Sequence, residues 1–254
     1  MKQYAVINRV VEELIKNNYI GACYIGGSIG RKDDDNLSDI DLYCYFLTEN
    51  YEDYGNNKLN VFEKYGVIIF HKDFNDLDTV VYTDGIILNL HHVYPNNEGM
   101  IKVDKNVKII YNPYGIVLQE KTNSYRYDKE EIGTIIDKLS LDCLEFYRYF
   151  LKNDFPIMLR LASDIHYGYS CIKHFVSNPE YAKLGAKNIL KGMDPEERAK
   201  YIEIIKNYSF SNLKQFVKMI VSDLAKVFGD FPVTLATSFN IDFFEFVRKK
   251  IMEL

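Results

Sequence analysis

The sequence predicts an α+β protein, with short strands and helices mixed over the N-terminal half and helices alone thereafter. Three observations carry that expectation. Up to about residue 111, short apolar runs are bounded by turn residues, as in strands. Asp84-Gly85 between two such runs is a hairpin signal of the kind that needs positive φ. From about Tyr127 onward, apolar residues recur three and four apart, the period of a helix. The change falls between residues 112 and 127, so the expected domains are 1–120 and 121–254.

In order, Val6, Ile7, Val10, Val11, Leu14 and Ile15 predict an amphipathic helix over 3–17, ended by Asn17-Asn18 and Gly21. Strands are expected over 22–25 and 40–47, with a helix over 56–65 closed by Gly66 and a strand over 67–71. The hairpin arms are 79–83 and 86–93; in the second, Ile87, Asn89, His91 and Val93 share one face. A last strand is expected over 107–111, before Asn112-Pro113. Helices are predicted over 129–151, from Pro156 to about Val176, from the N-cap Asp194, over 211–227 and over 241–252.

Of the 254 residues, 47% are hydrophobic and 26% charged, the balance of a globular chain. The formal net charge of −5 argues against a nucleic-acid partner. Between Arg31 and Tyr54, eight acids face only Arg31 and Lys32, a stretch that attracts a cation or a cationic small molecule. The four cysteines lack CxxC spacing and sit in apolar runs, as free thiols of a reducing compartment do. The first 18 residues lack the apolar core of a signal peptide, and no run approaches the ~20 apolar residues of a membrane span. The expected location is cytoplasmic.

The informative stretch is Tyr24 to Phe46. An apolar run ends in Gly26-Gly27-Ser28, and after ten residues Asp39-Ile40-Asp41 enters the next strand. Carboxylates two residues apart on a strand share a face, which is unfavourable unless a cation lies between them. Mg²⁺, which takes one or two carboxylates plus phosphate oxygens, suits that role. The glycines let backbone N–H groups approach a phosphate closely. Arg31 could bond a phosphate or pair with one of Asp33 to Asp35.

Between strands, this pattern resembles the nucleotidyltransferase superfamily that includes DNA polymerase beta. Gly27-Ser28-Ile29-Gly30-Arg31 followed by Ser38-Asp39-Ile40-Asp41 is similar to the antibiotic-modifying branch, such as kanamycin and lincosamide nucleotidyltransferases, over roughly residues 22–46. The resemblance implies a small mixed β-sheet nucleotidyltransferase domain followed by an α-helical bundle domain. It implies that Gly27 and Ser28 hold the phosphates of a nucleoside triphosphate, ATP by default. Asp39 and Asp41 would bind Mg²⁺, and a nucleoside monophosphate would pass to a hydroxyl of a small, aminoglycoside-like acceptor with release of pyrophosphate. Some relatives build the site across a dimer, so a homodimer is admitted.

The family usually supplies a third carboxylate from a later strand, and the matching position here is Asn89. Asparagine is neutral and accepts no proton. His91, on the same face, is an accessory candidate base. Some relatives take a glutamate from the helical half, and Glu145, near Asp142 and Arg148, is the candidate catalytic base. Tyr147, Tyr149, Tyr167 and Tyr169 could line a cleft or fill the core. His166 and His174, eight apart, lack further metal ligands, and Arg160 with His166 fits only a loose spacing of RNA-cleaving domains. Two alternatives stand beside the enzyme: a non-catalytic nucleotide sensor, which Asn89 favours, and a toxin–antitoxin nucleotidyltransferase acting on a protein or tRNA.

Overall fold

A computed structural model describes residues 2–121, 125–230 and 238–254. The chain divides into two compact units, Met1–Ser124 and Tyr125–Leu254. The protein is α+β, a mixed sheet with helices followed by a helical region.

In the first unit, α1 (Lys2–Lys16) buries Val6, Ile7, Val10, Val11 and Leu14 along one face. Asn18, at φ +54°, turns the chain back, a conformation that asparagine tolerates. The strand β1 (Ile20–Ile25) follows, buried on both faces, and then a single helical turn, α2 (Gly27–Arg31). Next come β2 (Ile40–Phe46), α3 (Tyr51–Phe62), β3 (Ile68–Asp73), β4 (Leu77–Tyr82) and β5 (Ile87–His92). The short strands β6 (Met100–Val103), β7 (Lys108–Tyr111) and β8 (Val117–Glu120) complete the unit.

The main sheet has the order β3-β4-β5-β2-β1-β7. Its β2–β5 pair is parallel, and its other pairs are antiparallel. In β2 burial alternates: Ile40, Leu42, Cys44 and Phe46 are buried, while Asp41, Tyr43 and Tyr45 face the other side. The buried set packs with Val80, Leu88 and Leu90 of the neighbouring strands, the apolar stripe of α1, and Tyr54, Val61 and Phe62 of α3. The β6–β8 pair forms a smaller core, in which Tyr24, Ile101 and Val103 pack with Tyr43 and Tyr45.

Sequence periodicity misses α2, β6 and β8 because each has five residues or fewer, too short to display a period. It also starts α3 at residue 56, whereas the helix begins at Tyr51, directly after a 3-10 turn over Thr48–Asn50.

In the second unit, α4 (Lys129–Leu151) opens with a reciprocal capping box between Asp128 and Glu131. Asp154 caps α5 (Phe155–Ser177), with Pro156 in its first turn. After α6 (Ile189–Gly192), Asp194 accepts the backbone N–H groups of Glu196 and Glu197 to start α7 (Pro195–Lys206). Helices α8 (Leu213–Gly229) and α9 (Ile241–Glu253) complete the described part. Ile136, Leu139 and Phe146 of α4 share a core with Leu161, Ile165 and Tyr169 of α5, Ile220 and Leu224 of α8, and Val247 of α9. The four cysteines are buried and free. Among the described residues, no helix is long and apolar enough to cross a membrane.

Candidate functional site

The turn from β1 into α2 lies directly on β2. Gly27 adopts φ +58°, and a Cβ built there would lie 2.0 Å from Asp41 Oδ2. The backbone N–H of Gly26 donates to the Asp41 carbonyl at 3.0 Å. Glycine is therefore required at position 27 twice, by conformation and by contact. The Ser28 side chain is buried, and its Oγ makes no hydrogen bond among the described residues. A buried hydroxyl without a partner carries a desolvation cost that a ligand oxygen would relieve.

Substituting Gly27→Ala should strain the turn by about 1–2 kcal/mol and displace the Asp41 carboxylate. The expected outcome is a folded protein by circular dichroism in which the nucleoside-triphosphate affinity that the family resemblance implies, read by calorimetry, falls roughly tenfold or more, a loss of about 1.4 kcal/mol.

Asp41 is on β2, and Asp39 immediately precedes that strand, both partly exposed. The parallel register sets Asp41 beside Asn89 and Tyr43 beside His91. Asn89 Nδ2 donates to Asp41 Oδ1 at 3.5 Å, while Asn89 Oδ1 accepts from Thr79 Oγ1 at 3.1 Å. His91 Nε2 lies 3.7 Å from Asp41 Oδ1. The imidazole stacks on Tyr43 at 4.4 Å between centroids, and Tyr43 stacks on Tyr24 at 5.0 Å. Gly27, Ser28, Asp41, Asn89 and His91 thus gather around one point on the sheet. Arg31 instead approaches Asp33, with Nη2 3.4 Å from Oδ1.

Among the described residues, no three His, Cys, Asp or Glu side chains converge into a ready metal cage. An oxygen-loving cation would then be held by few protein groups, its shell completed by phosphate oxygens, which is how Mg²⁺ usually binds. The Ser28 hydroxyl, without a hydrogen bond among the described residues, and the Asp41 carboxylate packed against the Gly27 turn fit that arrangement.

Glu145 belongs to α4, in the helical unit, where it pairs with Arg148 one turn on; Asp142 accepts from Lys138 at 2.7 Å. Tyr169 is fully buried and donates to Asp223 at 2.8 Å, so it is a core residue, whereas Tyr167 is exposed. His166 meets the Tyr201 hydroxyl at 3.2 Å and His174 the Gly185 carbonyl at 2.9 Å, separate partners that leave no shared metal site. Arg160 pairs with Asp164. A cavity of about 580 Å³ in the helical unit has three lysines and five acids in its lining, of which Lys173 pairs with Glu197 and Asp223, and Lys200 with Asp223.

Sequence reasoning missed Asp78. It is fully buried on β4, in phase with Val80 and Tyr82, and an acid at an inward strand position was the available signal. Its carboxylate accepts from Tyr54 (2.9 Å), Lys58 (2.9 Å), His71 (2.7 Å) and His92 (3.0 Å). Burial pushes its pKa up, but the bonds from His92, His71 and Lys58 prevail and hold it well below the usual carboxylate range. The neighbouring Tyr54 hydroxyl is pushed up by burial and by the Asp78 charge. This hub ties α3 and β3 to β4 and β5, and so supports the strand that carries Asn89 and His91.

No protein-family model and no curated protein sequence matches the chain. Among solved structures, it is similar to an aminoglycoside 6-adenyltransferase from Bacillus subtilis at 11% identity and a TM-score of 0.35, over 100% of this chain and 98% of that one. A likeness that distant says nothing about activity, which is argued below from the residues.

Proposed function

We propose that the protein is a nucleotidyltransferase, which transfers a nucleoside monophosphate from a nucleoside triphosphate, ATP by default, to a hydroxyl of a small acceptor with release of pyrophosphate. The observation that carries this reading is the close approach of Gly27 to the Asp41 carboxylate, beside the unpartnered Ser28 hydroxyl. The glycines would let backbone N–H groups of the turn approach phosphate oxygens, and Ser28 Oγ has a hydrogen-bonding site to offer them. Asp39 and Asp41 would hold Mg²⁺, which when bound supplies positive charge against the transferred phosphate and the leaving pyrophosphate. Glu145 is the proposed base for the acceptor hydroxyl, carried by the family resemblance. The acid-rich stretch from Arg31 to Tyr54 favours a cationic acceptor of aminoglycoside type.

The test is pyrophosphate release with Mg²⁺, each nucleoside triphosphate and a panel of amine-bearing polyols. Acceptor-dependent release that weakens strongly in Glu145→Gln is the expected result. Nucleotide binding without turnover across the panel would favour the second reading, a nucleotide sensor, for which Asn89 in place of a carboxylate speaks.

A further inference from the structure

We propose that the first unit carries a second binding site, an aromatic cavity at the far end of β2 that takes a small organic ammonium ion. Such an ion would bind there whether or not the protein transfers nucleotides.

An open cavity of about 600 Å³ has four aromatic rings in its lining, those of Tyr45, Phe46, Tyr51 and Tyr94. That volume suits a small-molecule ligand. Among the described residues, Glu52 is the only charged member of the lining. Its carboxylate makes no hydrogen bond or ion pair among those residues. Phe46 is the last residue of β2, whereas Asp41 is near its start. The cavity therefore lies roughly 16 Å along the strand from that carboxylate, beyond the reach of a small ion bound there.

Two of the rings are anchored by their hydroxyls. The Tyr51 hydroxyl meets His92 Nδ1 at 2.9 Å, and His92 Nε2 in turn donates to Asp78 at 3.0 Å. The Tyr94 hydroxyl donates to Asp76 Oδ1 at 3.2 Å. Tyr51 also meets Phe46 edge to face, with centroids 5.7 Å apart. Even so, Tyr51 and Tyr94 remain 37% and 54% exposed. Aromatic surface that is held in place but left in water forgoes burial that a ligand would supply.

Gly55 lies inside α3, where alanine would be the better helix former. A Cβ built on it would meet nothing within 4 Å, so packing does not require the glycine. Its missing side chain instead keeps one wall of the cavity open.

Aromatic rings attract cations through their quadrupole, and quaternary ammonium ions are the ligands that rings around a pocket recognise. A lone carboxylate among those rings adds attraction for positive charge and disfavours an anion.

The test is calorimetric titration of the full chain with choline and the bulkier benzyltrimethylammonium, with neohexyl alcohol as the uncharged isostere of choline. Choline should bind roughly tenfold or more tightly than the alcohol. Glu52→Gln and Tyr94→Leu should each weaken both ions by roughly five- to tenfold. Gly55→Leu should abolish binding while melting at or above the temperature of the parent, since leucine is the better helix former and has space to occupy. Asp41→Asn should bind both ions as the parent does. Equal binding of choline and the alcohol, binding that survives Gly55→Leu, or no binding of either ion would overturn the cavity's role. Binding lost in Asp41→Asn but kept in Gly55→Leu would move the ions to the candidate site, overturning the cavity's role and leaving the nucleotidyltransferase reading intact.

Discussion

Replacing Asp41 with asparagine is expected to lower nucleotidyl transfer by on the order of 10²–10³-fold, the cost of removing one fixed electrostatic partner from an active site. The backbone role of this residue, accepting from Gly26 N–H at 3.0 Å, survives the change. So does its pairing with β5. Thermal melting of Asp41→Asn should therefore stay close to that of the parent while pyrophosphate release collapses. Asp39→Asn should behave alike. If Asp41→Asn turned over normally, the metal pair would not stand. If it melted much earlier, its carboxylate would be a structural group.

The second large effect is on stability and belongs to Asp78. Asp78→Ala should destabilise the first unit by about 3–5 kcal/mol, because Lys58, His71, His92 and the Tyr54 hydroxyl lose a common acceptor in a buried place. Chemical denaturation followed by circular dichroism measures it. The pH dependence has a definite sign. The folded-state pKa of Asp78 is depressed. Its contribution is thus fully present above the unfolded carboxylate value, near pH 4, and is lost as pH falls below it toward the lower folded value. Asp78→Asn should flatten the acid side of the stability curve, and an unchanged acid slope would show that other carboxylates dominate it.

The two predictions separate two kinds of residue on one sheet. Asp41 faces the side with Tyr43, Asn89 and His91, whereas Asp78 faces the core with Val80, Leu90 and His92. The period of two that sends alternate side chains to opposite faces makes the first set available to ligands and the second available only to the fold.

Much of this was legible beforehand. The Asp84-Gly85 hairpin and the long helix over Lys129–Leu151 appear where local chemistry puts them, because turn conformation and helical period are properties of neighbouring residues. The Asp194 cap is legible for the same reason. The candidate site was legible in part. Gly27, Ser28, Asp39 and Asp41 lie within 15 residues of one another, so the motif is visible as a string. The alignment of Asn89 with Asp41 could be anticipated only through the family resemblance, since the two are 48 residues apart.

Other features left no such trace. Arg31 had two candidate partners in sequence, and the structure sets it beside Asp33. The Asp78 hub draws on Tyr54, Lys58, His71 and His92, separated from it by 7 to 24 residues. The stack of Tyr24, Tyr43 and His91 joins three strands.

The sequence by itself determined the α+β class, the change from mixed strands and helices to helices alone, and the glycine–serine turn ahead of two spaced carboxylates. Tertiary structure alone decided that Gly27 abuts Asp41, that Asn89 turns its NH₂ toward that carboxylate, and that His91 Nε2 lies 3.7 Å from it. The physical reason is range. Periodicity and turn preference act over a few residues, whereas which groups surround a carboxylate depends on how distant strands register when the sheet closes.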